Sequence, residues 1–96
     1  MTEQVEFFDL IKAREQISKI TSPIILINAP GSIRFLGALA IDHIFKTLSR
    51  EFIVEKQIFR VDDDLAGLFQ AINLGYTEIL YTGNSASAKK LLEINR

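Results

Sequence analysis

The sequence predicts an α/β domain: a small three-layer sandwich with a three-stranded parallel sheet in the order 2-1-3, helices on both faces, and a further helix at the N-terminus. Three observations carry that expectation. The run Ile24-Ile25-Leu26-Ile27 is aliphatic throughout and bounded by Pro23 and by Asn28-Ala29-Pro30-Gly31, which suits a strand covered on both faces. A long apolar-periodic stretch starts at Ser32, so strand, tight turn and helix form the first half of a βαβ unit. The alternation then recurs twice, and strands alternating with helices imply a parallel sheet with right-handed crossovers.

Residues 3–20 read as one amphipathic helix, with Leu10, Ala13, Ile17 and Ile20 on a single stripe and Phe7 widening it. Thr21-Ser22-Pro23 ends that helix, because the residue before a proline avoids the α region. The aliphatic run is the most apolar strand and is expected to be central. A second helix covers residues 32–50. Its inward arc holds Leu36, Gly37, Ala40, Ile41, Ile44, Phe45 and Leu48. Opposite, among Arg34, Asp42, Lys46 and Arg50, sit Phe35 and Leu39, an i,i+4 apolar pair on the expected wet face. Residues 52–61, FIVEKQIFRV, are interrupted by Glu55, Lys56, Gln57 and Arg60, the pattern of an edge strand. Asp62-Asp63-Asp64 then precedes a helix striped by Leu65, Leu68, Phe69 and Ile72, capped by an aspartate and stopped by Gly75. Residues 78–81 form the third strand, and a last helix covers residues 85–94 with Ala88, Leu91 and Leu92 inward.

The length fits one domain over residues 1–96, and a 48% hydrophobic, 24% charged composition is that of an ordinary globular chain. A net charge of -1, with no basic cluster beyond Lys89-Lys90, offers no footprint for nucleic acid or an acidic membrane. The absence of cysteine removes disulfides, thiolate chemistry and sulfur-ligated metals. The first residues carry acids where a signal peptide has bases, and no apolar run approaches the ~20 residues of a membrane span, so a cytoplasmic chain is expected.

In a parallel sheet, ligands bind outside the carboxyl ends of the strands. That edge is expected to collect Asn28, Gly31 and Ser32 from one loop and Thr82, Gly83, Asn84 and Ser85 from another, a candidate anion or phosphate site. The same serines also serve as plain N-caps, and the same glycines as plain turn residues. Asp62 and Asp63 are candidate Mg²⁺ ligands, or else complete a helix cap. His43 is the single histidine, and no second His or Cys completes a triad, so no catalytic residue is assigned. It joins Phe35 and Leu39 as a candidate interface residue.

The strand, Gly31-Ser32 and the helix FLGALAIDHIF together resemble the opening βα unit of DHH-type phosphoesterases. That family carries metal-binding aspartates where this chain has Asn28, Ala29 and Pro30, so its catalytic set does not transfer. The stretch ILYTGNSASAKKLL resembles the strand, Thr-Gly and helix of haloacid-dehalogenase phosphatases. Their nucleophilic aspartate follows an earlier strand, and Asp62 stands too close in sequence for that role. The expected function is therefore a small non-catalytic regulatory or protein-interaction domain, acting through self-association or a protein partner. The alternative is a phosphate- or nucleotide-binding domain with Mg²⁺-dependent phosphoryl transfer at the strand ends.

Overall fold

The computed structural model describes residues 2–84, which form a four-stranded sheet, parallel throughout, with helices between successive strands. Along the chain these are β1 (Glu3–Phe7), α1 (Leu10–Ile17), β2 (Ile24–Asn28), α2 (Ser32–Leu36), α3 (Ala38–Glu51), β3 (Val54–Asp62), α4 (Leu65–Asn73) and β4 (Ile79–Tyr81). The α/β class is the predicted one. Strand number, strand order and layering differ from the expectation.

The first correction is at the N-terminus, where residues 3–7 form a strand. Val5 and Phe7 are buried while Glu3, Gln4 and Glu6 are exposed, the two-residue period of a strand with one inward face. This strand pairs with β2 in register from Glu3↔Ile24 to Phe7↔Asn28. Helix starts only after Asp9, whose extended backbone and carboxylate, accepting the Lys12 N–H at 2.8 Å, make an N-cap. The Leu10, Ala13, Ile17 stripe is real but begins there.

The second correction is the strand order, β1-β2-β3-β4 rather than 2-1-3. β2 is interior as expected, whereas β3 is interior too and not an edge. Its polar residues have partners within the chain: Gln57 hydrogen-bonds Ser49 of α3, Lys56 pairs with Glu78 at 3.8 Å, and Arg60 pairs with Glu6 at 2.8 Å.

The third correction is the layering. When every right-handed crossover steps one strand in the same direction, every helix falls on the same side of the sheet. The burial agrees. Val5, Leu26, Phe59 and Val61 join Ala13, Phe45 and Leu68 in one cluster, from which the buried Ile27 is missing because it points the other way. Phe45 of α3 is the hub, with the rings of Phe7 at 5.0 Å edge-on, Tyr76 at 5.4 Å and Phe59 at 5.7 Å. The described part of the chain thus has two layers, not three.

The helix expected over 32–50 is broken at Gly37, whose φ of 82° and ψ of 159° suit only glycine. The break changes the helical phase, so Ile33 and Ala38 are buried while Ala40 is exposed. α4 matches its expectation at both ends, whereas Leu65 and Phe69 of the expected stripe are exposed and the buried side is formed by Gly67, Leu68 and Ala71. Asp64 accepts the Gly67 N–H at 3.0 Å, and Gly75 (φ 95°) closes a Schellman turn, with Gly75 N–H donating to Ile72 and Tyr76 N–H to Ala71. The expected last helix, residues 85–94, lies outside the described residues. Among those described, no helix is long and apolar enough to cross a membrane.

Candidate functional site

The carboxyl ends of β2, β3 and β4 do meet at one rim, where the Thr82 N–H donates to the Asp62 carbonyl at 2.7 Å. The rim is held together by its own polar groups. Asn28, fully buried, accepts the Arg60 N–H at 2.7 Å through Oδ1, while its Nδ2 donates to the Arg60 carbonyl at 2.7 Å and to Ser32 Oγ at 2.8 Å. Backbone pairing between β2 and β3 stops at Ile27↔Ile58, so the Asn28 amide extends the ladder beyond it. Ser32 Oγ spends its own hydrogen on the Ala29 carbonyl at 2.7 Å.

Gly31 lies in the left-handed region at φ 80°, and its N–H donates to Asp62 Oδ2 at 2.9 Å. Asp62 itself has a φ of 53°. The amide that a phosphate would use is thus already bonded to an internal carboxylate. The three aspartates diverge: Asp62 turns to Gly31, Asp63 pairs with Arg34 at 2.6 Å on the surface, and Asp64 caps α4. Among the described residues, no group of three or more His, Cys, Asp or Glu side chains is placed to hold a metal ion. Thr82 and Asn84 are exposed and Gly83 half-buried, while Ser85 lies outside the described residues.

An apolar patch stands beside this rim. Phe35 is 81% exposed and Leu39 74% exposed, the outward placement expected for them, and His43 is exposed as well. The observed neighbour of Phe35 is Phe8, 45% exposed, with ring centroids 6.0 Å apart. Ile11, 70% exposed on the first turn of α1, adds to the exposed apolar surface. A single helix over residues 3–20 hides Phe8 and Ile11; the Asp9 cap is the signal that places Phe8 in a loop after a strand.

No protein-family model matches the chain, and no solved structure does. A relative does. The uncharacterized protein RP547 of Rickettsia prowazekii (strain Madrid E) is 45% identical over 95 residues, covering 96% of this chain and 89% of the relative. The chain belongs to the family of that rickettsial protein. The match spans nearly the whole chain, and so takes in both the rim and the patch.

A second polar cluster lies between α3 and the turn after α4. Asp42, buried on α3, accepts the Tyr76 hydroxyl at 2.6 Å and pairs with Lys46 at 2.9 Å. Burial alone would push the Asp42 carboxyl up, but hydrogen bonds from Tyr76 and Lys46, with the charges of Lys46 and His43, bring it below the ordinary carboxylate value. Burial, followed by the hydrogen bond to Asp42, drives the Tyr76 phenol far above its ordinary value. Helical projection puts Asp42 on the wet arc of its helix; only the tertiary approach of Tyr76 buries it.

Because the folded pKa of Asp42 is depressed, its contribution is complete above the unfolded carboxylate range and disappears as pH falls through the folded value. Tyr76→Phe should cost about 1.5–3 kcal/mol at pH 7, the net worth of a hydrogen bond to an ionised group. The loss should shrink on acidification below pH ~4, as Asp42 takes up its proton. Urea titrations at neutral and at acid pH check this, and a loss that grows on acidification would contradict it.

Proposed function

We propose that this is a small non-catalytic regulatory or protein-interaction domain of the cytoplasm, acting through a protein partner or a second copy of itself. The carrying observation is the outward Phe35, 81% exposed with its ring tilted against that of Phe8 at a centroid distance of 6.0 Å, while Ile11, three residues after Phe8, adds exposed apolar surface. Phenylalanine buries roughly 200 Å² when fully covered, so the exposed parts of these two rings amount to about 250 Å². At ~25 cal/mol per Å² that is about 6 kcal/mol of gross stabilisation before the costs of association. Large aromatics held at a surface in contact with each other are an arrangement that a partner rewards.

The competing reading, a phosphate or nucleotide site with Mg²⁺ at Asp62 and Asp63, relies on the rim. The engagement of Ser32 Oγ with Ala29 and of Gly31 N–H with Asp62 favours the interaction reading over it. The cytoplasmic placement accords with a chain that has no cysteine.

A photo-crosslinking amino acid placed at Phe35 in living cells is expected to give a discrete adduct to another polypeptide or to a second copy. The same group at Lys19 serves as the control. No adduct at Phe35, or equal adducts at both positions, would refute the reading.

A further inference from the structure

The strand side chains that point away from the helices form a second surface, on which no described helix packs. Parallel sheets are as a rule covered on both faces. Ile25, Ile27 and Ile58 make its centre: the first and last are half-buried, and Ile27, 3% exposed, lies under the ion pair that Arg60 of β3 makes across β2 with Glu6 of β1. Leu80, 40% exposed, marks the β4 side.

The positions that carry charged residues form a cross around that centre. Register sets Glu6, Ile27 and Ile58 on one line across the strands. Glu78 ends the same line, since it precedes Ile79, the partner of Phe59. Lys56 and Arg60 lie before and after Ile58 along β3, each roughly 7 Å away at the rise of a strand. Along the backbone the acidic positions therefore lie on an axis across the strands and the basic ones on an axis along one strand, while within the chain the side chains lean together as the pairs Arg60–Glu6 at 2.8 Å and Lys56–Glu78 at 3.8 Å.

We propose that this face pairs with a second copy of the chain across a two-fold axis lying in the plane between the sheets, diagonal to the strands. That operation exchanges the two axes of the cross. Glu6 of one copy comes over Lys56 of the other, Glu78 over Arg60, and the isoleucines meet at the centre. The sheets then cross at close to 90°, one of the two standard ways for sheets to pack, and the contact is isologous. The intrachain pair Arg60–Glu6 of one copy is thereby set against the pair Lys56–Glu78 of the other, acid over base at both ends, a match that a partner carrying one sign of charge does not offer. The face measures about 19 by 17 Å, from four strands at ~4.8 Å and five residues at ~3.3 Å. Two such faces amount to roughly 650 Å² in all, below the size of standard specific interfaces, so the dimer is a weak and reversible one. The surface is separate from the Phe35 patch, and the inference stands without it.

The test is sedimentation equilibrium of the full chain, with Lys56→Glu/Glu78→Lys as the decisive variant. The exchange keeps the ion pair within the chain. Across the two-fold, however, it sets an acid at position 56 over Glu6 and a base at position 78 over Arg60. Wild type is expected to dimerise reversibly. The double variant is expected to weaken the dimer at least tenfold while matching the wild-type melting temperature in dilute solution where both are monomeric, and Phe35→Asp to leave the dimer constant as it was. A wild type that stays monomeric at all concentrations, its face covered by residues 85–96 or by another protein, would overturn the proposal. So would a dimer indifferent to the charge exchange, or one abolished by Phe35→Asp alone; the last would leave the Phe35 patch standing as the contact.

Discussion

Asn28→Ala should lower the unfolding free energy by about 3–5 kcal/mol in a urea titration at pH 7, the largest effect expected of any polar substitution in the described residues. The alanine leaves the Arg60 N–H, the Arg60 carbonyl and Ser32 Oγ without the amide that satisfies them, inside a rim where Asn28 and Ser32 are fully buried. Each abandoned group costs about 1–3 kcal/mol, and partial relaxation or entering water recovers some of the sum. Since a small domain has only about 5–15 kcal/mol in total, much of the stability goes. Asn28→Asp separates the polar network from mere volume. The carboxylate still accepts the Arg60 N–H, but it loses both donated bonds and buries a charge. It should therefore be at least as damaging at pH 7, with part of the loss recovered on acidification. A loss below ~1 kcal/mol for the alanine would mean that the amide does not hold β2 to β3.

Phe45→Ala should cost about 3–5 kcal/mol, through lost transfer energy and the cavity it leaves. Phe45 is fully buried on α3 and touches Phe7 of β1, Phe59 of β3 and Tyr76 beyond α4, so one side chain links the helical layer to both sides of β2. Phe45→Leu keeps most of the volume and should lose about half as much or less. Unfolding curves of the two variants check the ordering. Equal losses would show that ring–ring geometry, and not the void, sets the cost.

Features written in local chemistry are legible without coordinates. The aliphatic β2, the Asp64 cap, the Gly75 stop and the outward Phe35 follow from side-chain type and spacing over a few residues. β1 is not legible, because Val5 and Phe7 alternate over only five residues and run into the helical stripe that begins at Leu10. Gly37 is the same residue whether it permits close packing or ends a helix; only the backbone, at φ 82°, decides between them. The rank of β3 is misleading because its charged residues signal an edge, whereas Arg60 and Lys56 find partners on β1 and next to β4. Strand order depends on pairings between distant segments and has no local code. At the rim, the meeting of the loops is legible from topology. The consumption of its donors is not, since the groups that consume them, the Arg60 backbone and the Asp62 carboxylate, lie 32 and 31 residues away from Asn28 and Gly31.

A rim whose donors are bonded to one another has none to offer a phosphate, and thermal unfolding with added phosphate, nucleoside triphosphate and Mg²⁺ reads this out most directly. No additive is expected to shift the midpoint beyond its ordinary ionic-strength effect. A saturable rise would contradict the account: ligand at 100 times its Kd adds about 2.7 kcal/mol, and at ~4–8 °C per kcal/mol for a domain of this size the midpoint would climb by more than ~10 °C.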